Sequence, residues 1–412
     1  MDAEPPRRRR VAKVLDVTEF WSERGGGVRT YLTNKAQTLT SLGIDHCVLV
    51  SGRKTAEGPL LPNAPAGSHL VALGGPPLPY DSTYRLFLRL SAARKRMQRE
   101  RPDVLEIHSP ELAAVAALRV PESSYGIRTF VWHSDFIDTY LSWRVAEATG
   151  QRAADLVTAP LWSWVHAIAN RCAATIAASR YQATKLRARG IPRVAEVPFG
   201  VDTNVFHPGA ADPAYRAEHL GDDRDTLLLV GSGRFAGEKR WDVVVDGFRI
   251  LSQRRRAKFV LFGDGPERAR LEARARGLPN LVFAGFTKDR AALARALASS
   301  DALVHSGPFE TFGLAVAEAV ACGTPVVVAD RGAAHELADP RCGEVYTALD
   351  PESLANAVER LFSRERSELV AAARDRARRA ISIDAHFRSM VALYDDLLAE
   401  RADGERAVAR SP

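Results

Sequence analysis

Glu310 and Glu318 stand eight residues apart in HSGPFETFGLAVAEAVACGTPVVV, residues 305–328. Between them Phe312-Gly313 closes a loop, and Leu314 to Cys322 reads as a helix that begins there. The first N–H groups of a helix lack partners within it and carry the positive end of its dipole, so this start can hold an anion. Glu310 beside that start can accept hydrogen bonds from one polyol. Glu318, over a turn further along, can accept them from another. A phosphate between two polyols describes a nucleotide sugar. Strand-loop-helix units with a glycine at the turn also occur throughout doubly wound folds, where two glutamates are ordinary surface charge.

TLLLVGSGRFAGEKRWDVVVDGF admits two chemistries. Gly231-Ser232-Gly233 follows an apolar run, and Asp264 ends the next one, which imitates a dinucleotide fingerprint and suits an NAD(P)-dependent oxidoreductase built on the GSGRFA turn. Arg234 and Lys239 occupy the turn itself, however, and two cations five residues apart suit the neutralisation of a leaving diphosphate. A non-catalytic nucleotide-sugar or phospholipid-binding protein is a third reading. Near the start, Gly25, Gly26 and Gly27 in WSERGGGVRTYL let backbone N–H groups approach a ligand with no Cβ in the way, though a plain tight turn accounts for them equally. His133 ends the run FVWH, where a lone histidine is commonly a hydrogen-bonded structural residue, and Asp135 reads as a helix N-cap.

Short β-branched runs alternate with helical patterns along the whole chain, as in parallel sheets with crossover helices. Strands are expected at VAKVLDV, HCVLVSG, DVLEIHS, IRTFVWH and ATIAAS, with helices near 28–42, 84–101, 111–118 and 181–190. A second set of strands is expected at TLLLVGS, KFVLFGD, LVFAGF, ALVHS, TPVVVAD and GEVY. At 412 residues two domains are expected, 1–205 and 206–383, joined at the proline- and glycine-bearing EVPFGVDTNVFHPG. A last helix follows from about 384 to 400, and the tail after Asp403 reads as frayed.

With 46% apolar and 26% charged residues the composition excludes long disorder, and a formal charge of +7 fits an anionic partner. Four separated cysteines and no clustered histidines point to neither a zinc site nor a disulfide framework. MDAEPPRRRR has no apolar segment behind it, and the apolar stretch 156–179 is interrupted by Pro160, His166, Asn170 and Arg171. The expectation is a cytoplasmic protein without a signal peptide or a membrane span. YRLFLRLSAARKRMQRER reads as a basic amphipathic helix over 84–101, which suits either peripheral contact with anionic membrane or a solvated face. Nucleic acid is not expected, because no binding motif accompanies the charge.

PFETFGLAVAEAVACGTPVV resembles the E-x7-E signature of family 4 glycosyltransferases, retaining enzymes with the GT-B fold. The GG-V loop after the first strand and the G-R-x4-K pattern at Arg234 and Lys239 resemble the same family, with Trp241 departing from an expected glycine. The resemblance covers residues 11–395. It implies two Rossmann-like doubly wound domains facing a cleft, with the terminal helix 384–412 returning to the first domain. Transfer of a hexose from a UDP- or GDP-linked sugar to a hydroxyl of a glycan, lipid-linked or small-molecule acceptor is implied, with no metal or other cofactor. His133, Arg234, Lys239 and Glu310 are then the catalytic candidates. Gly26, Gly27, Gly263, Asp264, Phe312, Gly313, Leu314 and Glu318 are the donor-binding ones, with Gly263 and Asp264 near the base.

Overall fold

The computed structural model describes residues 11–22, 27–60, 67–78 and 83–409. The first sheet is built from β1 (Lys13–Thr18), β2 (Asp45–Gly52), β3 (Ala56–Pro59), β4 (Ser68–Gly74), β5 (Val104–Ile107), β6 (Ile127–Trp132), β7 (Ala174–Ala177) and β8 (Val194–Glu196). Its order is β3-β4-β2-β1-β5-β6-β7-β8, parallel throughout except for the antiparallel edge pair β3–β4. The second sheet contains β9 (Leu227–Ser232), β10 (Ala257–Phe262), β11 (Leu281–Gly285), β12 (Ala302–Val304), β13 (Val326–Ala329) and β14 (Gly343–Tyr346). Its order β11-β10-β9-β12-β13-β14 is wholly parallel.

Helices cover both faces of each sheet, so the central strands are apolar without alternation; VVVA of β13 is buried at every position. Counted within its own sheet, the second order is 3-2-1-4-5-6, which reverses between β9 and β12. The first reverses likewise between β1 and β5. At such a reversal the following loops part and leave a crevice beyond the carboxyl ends of the strands. Arg234 and Lys239 follow β9, and His305 and Glu310 follow β12. Gly27 follows β1, and His108 to Glu111 follow β5.

The helix Ile383–Ala409 packs on the first sheet, where Phe387, Met390, Val391 and Tyr394 are buried with Val14, Leu39, Val104 and Val131. Two segments that cross between the sheets pair side by side: Val201 N–H donates to Ile381 O (2.8 Å) and Ile383 N–H to Val201 O (3.1 Å).

The structure departs from the sequence expectations in four places. β3, β4 and β8 were not anticipated; β3 and β8 are only four and three residues long and too short to show a pattern. The basic helix occupies Leu90–Glu100, not 84–101. Ahead of it, the backbone is committed to an irregular pairing in which Leu86 N–H donates to Pro76 O and Ser51 Oγ to Arg85 O. Gln151–Ala169 is one helix that runs through Pro160; Leu156, whose carbonyl loses its helical donor there, is 78% exposed, so water can take that place. The tail after Asp403 continues the last helix to Ala409. Among the described residues no helix is long and apolar enough to cross a membrane.

Candidate active site

The two crevices open into one cleft of about 960 Å³ between the sheets. Arg234, Arg290, Glu310, Phe312, Gly313 and Leu314 line it from the second domain, and Gly27, Tyr31, His108, Glu111, His133 and Tyr140 from the first. A chamber of about 140 Å³ adjoins it, walled by His133, Asp135 and Tyr140 on one side and Lys239 and Glu310 on the other.

Glu310 is the best-defined group in the site. Lys239 Nζ lies 2.5 Å from its Oε1, and His305 Nε2 lies 3.2 Å from the same oxygen. Burial pushes the Glu310 carboxyl up, but the Lys239 ammonium and His305 outweigh it and hold the group well below the usual carboxylate range. Its loop ends at Gly313, whose φ of +89° is left-handed and favours glycine. Among the described residues no side chain caps the helix Leu314–Ala321 that follows, and its first turn borders the cleft at Gly313 and Leu314. The helix start read from the sequence is thereby present and uncapped at the cleft wall.

Glu318, in the second turn of that helix, does not line the cleft itself. Its Oε1 lies 2.9 Å from an Arg290 nitrogen, and Arg290, stacked 4.7 Å from the centre of the Phe206 ring, does line it. Burial outweighs the Arg290 charge and pushes the Glu318 carboxyl up to about 6. Arg290 is therefore a site residue that sequence reasoning missed; it lies outside every motif.

Trp241 explains the departure in the G-R-x4-K segment. Its indole covers Gly231 and Gly233, where an added Cβ would come within 3.0 and 3.1 Å of the ring, and its Nε1 donates to Arg234 O at 3.1 Å. These glycines admit a tryptophan, not a pyrophosphate, so the dinucleotide fingerprint is imitation. Gly263 lets two backbones meet: a Cβ there would sit 2.0 Å from Gly233 O. Asp264 is exposed and accepts from Gly265 N–H; neither it nor Gly263 is among the residues that line the cleft, where Pro266 stands instead. Gly27 opens the helix Gly27–Ser41 and lines the cleft, whereas Gly26 lies outside the described residues.

His133 directly follows β6 and rests on a buried polar network. Its Nε2 is 2.6 Å from His108 Nδ1, and His108 Nε2 is 3.1 Å from Asp16 Oδ1. Lys35 Nζ lies between two carboxylates, 2.7 Å from Asp16 and 2.7 Å from Glu106, and Tyr394 from the last helix donates to Glu106 at 2.6 Å. Burial, with the His108 and Lys35 charges, holds His133 well below the usual histidine range, so it is neutral near pH 7. The network left one sequence signal: Asp16 and Glu106 each stand between apolar residues inside a strand, in VLDV and VLEI. Asp135 is buried and held by Lys185 and Gln182, and its backbone carbonyl accepts from Thr139 N–H.

Thr311 ties the two halves together. Its Oγ1 donates to His133 O at 2.9 Å, and its own carbonyl accepts from Ser179 Oγ at 2.8 Å. The Glu310 loop is therefore fastened to the first domain at its next residue.

Two doubly wound domains with facing reversal points, and an uncapped helix start on one wall of the cleft between them, define a GT-B glycosyltransferase. Comparison with known proteins agrees. Residues 25–205 match the model described as Glycosyltransferase Family 4, and residues 224–364 match Glycosyl transferases group 1. The chain is 31% identical over 366 residues to a GDP-mannose-dependent alpha-(1-6)-phosphatidylinositol dimannoside mannosyltransferase of Mycobacterium tuberculosis, covering 89% of this chain and 91% of that one. It is 28% identical over 404 residues to a D-inositol 3-phosphate glycosyltransferase of Acidothermus cellulolyticus, covering 91% and 87%. In fold it is similar to sucrose-phosphate synthase from Thermosynechococcus elongatus, with a TM-score of 0.74 at 19% identity over 94% of this chain and 99% of that one. The chain belongs to glycosyltransferase family 4 and is a transferase that uses nucleotide sugars. The oxidoreductase reading finds no support in these matches.

Proposed function

We propose that the protein transfers mannose from GDP-mannose to a glycolipid or glycan hydroxyl with retention of anomeric configuration. The Lys239–Glu310 pair beside an uncapped helix start carries this reading. The donor diphosphate lies against that start, where Arg234, Lys239 and the Gly313 and Leu314 amides take up the charge that develops on it. Glu310 accepts hydrogen bonds from the sugar hydroxyls, and Glu318 from the ribose once Arg290 swings toward the donor. Neutral His133 borders the sugar chamber from the opposite wall. These cations do what a divalent metal does in other phosphate-transferring sites, so none is required.

Glu310, paired with a lysine and held ionised, is a poor acid and a weak nucleophile. Retention then arises from attack on the face that the diphosphate leaves, with its oxygen taking the acceptor proton. GDP-mannose is favoured over UDP-linked donors by the mycobacterial relative, as is a lipid-linked acceptor. The helix Leu90–Glu100, with Arg94, Lys95 and Arg99 exposed, suits work against an anionic membrane surface in the cytoplasm. Incubation with GDP-mannose, UDP-glucose and ADP-glucose, read by nucleotide release and by product anomer in NMR, tests the proposal. Turnover confined to a donor other than GDP-mannose, or an inverted product, overturns it.

A further inference from the structure

The cleft is electrically lopsided. The arginines that line it, Arg234 and Arg290, both belong to the second domain. Among the described residues the wall from the first domain and the last helix carries no lysine or arginine, but it does carry Glu111. Of its histidines, His133 and His386 are neutral near pH 7, since burial holds the first well below the usual range and the second at about 4, and His108 is engaged by His133 and by Asp16 at 3.1 Å. At the Tyr84 end of that wall, the rings of Phe20 and Tyr84 meet edge to face at 6.0 Å beside Leu78, and Glu111 lines the same wall.

We infer that this end is the acceptor subsite and that it takes an uncharged sugar, the terminal residue of a glycoside, and rejects a phosphate-bearing polyol. The inference rests on the transferase reading and names its acceptor class. An aromatic surface beside a carboxylate matches a sugar ring, whose C–H faces pack on aromatics while its hydroxyls donate to carboxylate oxygens. A phosphate here would be desolvated next to Glu111 and the buried Glu19, which already accepts from Leu112 N–H at 2.8 Å, with no cation of the described wall to balance it. Confinement in the cleft and the charge of Glu19 push the Glu111 carboxyl up to about 7, as expected of an acid lacking a cationic neighbour.

The test offers the full chain and GDP-mannose matched acceptor pairs: methyl α-mannoside against mannose 6-phosphate, and inositol against inositol 1-phosphate. The neutral member of a pair is expected to have a kcat/KM at least about tenfold higher. At pH 8, where Glu111 is mostly ionised, Glu111→Gln should lower kcat/KM for the neutral acceptor by about tenfold, the loss of a charged hydrogen bond, while the thermal shift given by GDP persists. Glu111→Lys should lower the preference for the neutral member. Preference for a phosphorylated member, acceptance of no member, or unchanged kinetics in Glu111→Gln would overturn the inference. If instead neither GDP nor any nucleotide sugar shifts the melting temperature of the parent chain, it is the transferase reading that fails.

Discussion

Lys239 Nζ and Glu310 Oε1 stand 2.5 Å apart, so the cation and the carboxylate that the proposed mechanism assigns to different parts of one donor neutralise each other in the free enzyme. Donor binding then exchanges one partner for another and leaves no charge bare. Removing either should expose the other. Lys239→Ala and Glu310→Gln are each expected to lower kcat by about 10²–10³, the scale of a lost charge-stabilising group, with circular dichroism unchanged. Wild-type turnover in both variants would refute the assignment of the site.

Glu318 supplies a pH signature. Its folded-state value of about 6 lies above the ordinary 4.5, so the folded protein holds that proton more tightly than the unfolded chain does. The associated stability is complete below pH 4.5 and is lost as pH rises through 6, amounting to about 2 kcal/mol. Glu318→Gln, which keeps no charge to bury, should therefore gain about 2 kcal/mol relative to the parent across that interval in denaturant titrations. Donor KM behaves the opposite way: in the parent it should rise on acidification below 6, and in the variant it should be high and flat. A parallel pair of stability curves would remove Glu318 from this role.

Lys35 is fully buried between Asp16 and Glu106. Lys35→Met would leave two carboxylates uncompensated in the core, at a cost of about 3–5 kcal/mol. Because His108 and His133 rest on the same network, the variant should also lose activity at temperatures where it remains folded. Equal melting temperatures for variant and parent would show that the network carries little energy.

Gly263 and Gly27 should respond differently to a methyl group. At Gly263 the Cβ would meet Gly233 O at 2.0 Å with φ at +152°, and Gly263→Ala is expected to cost more than about 2 kcal/mol. At Gly27 nothing lies within 4 Å, so Gly27→Ala should leave the melting temperature unchanged or slightly raised. A thermal melt of each decides. Equal effects would contradict the packing described here.

A chelator offers a separate check on the cationic clamp. With Arg234, Lys239 and helix amides bearing the diphosphate charge, turnover in EDTA should stay within about twofold of the untreated rate. A large loss that Mg²⁺ restores would show that the side chains do not suffice.

Both sheets were legible because buried parallel strands are short runs of β-branched residues, and all six strands of the second sheet appear where those runs stand. The Glu310 loop and its helix were legible for a related reason: the groups are close in sequence, and a glycine marks the turn. The reading was poorer where pattern was weak or long-range pairing prevailed. The segment 84–89 has helical spacing, yet its backbone is held by Pro76 and Ser51 from other parts of the chain.

By itself the sequence determined the alternation of strands and helices, the helix start after Gly313 and the family, since each depends on neighbours along the chain. Only the tertiary structure decided that Lys239 meets Glu310, that Arg290 holds Glu318 and that His133 leans on His108, Asp16 and Lys35. It also decided that, among the described residues, the arginines lining the cleft lie on the wall from the second domain. Such pairings join residues tens to hundreds of positions apart. They are set by which loops the sheet order brings to a common edge, and that order is not written in any local run of residues.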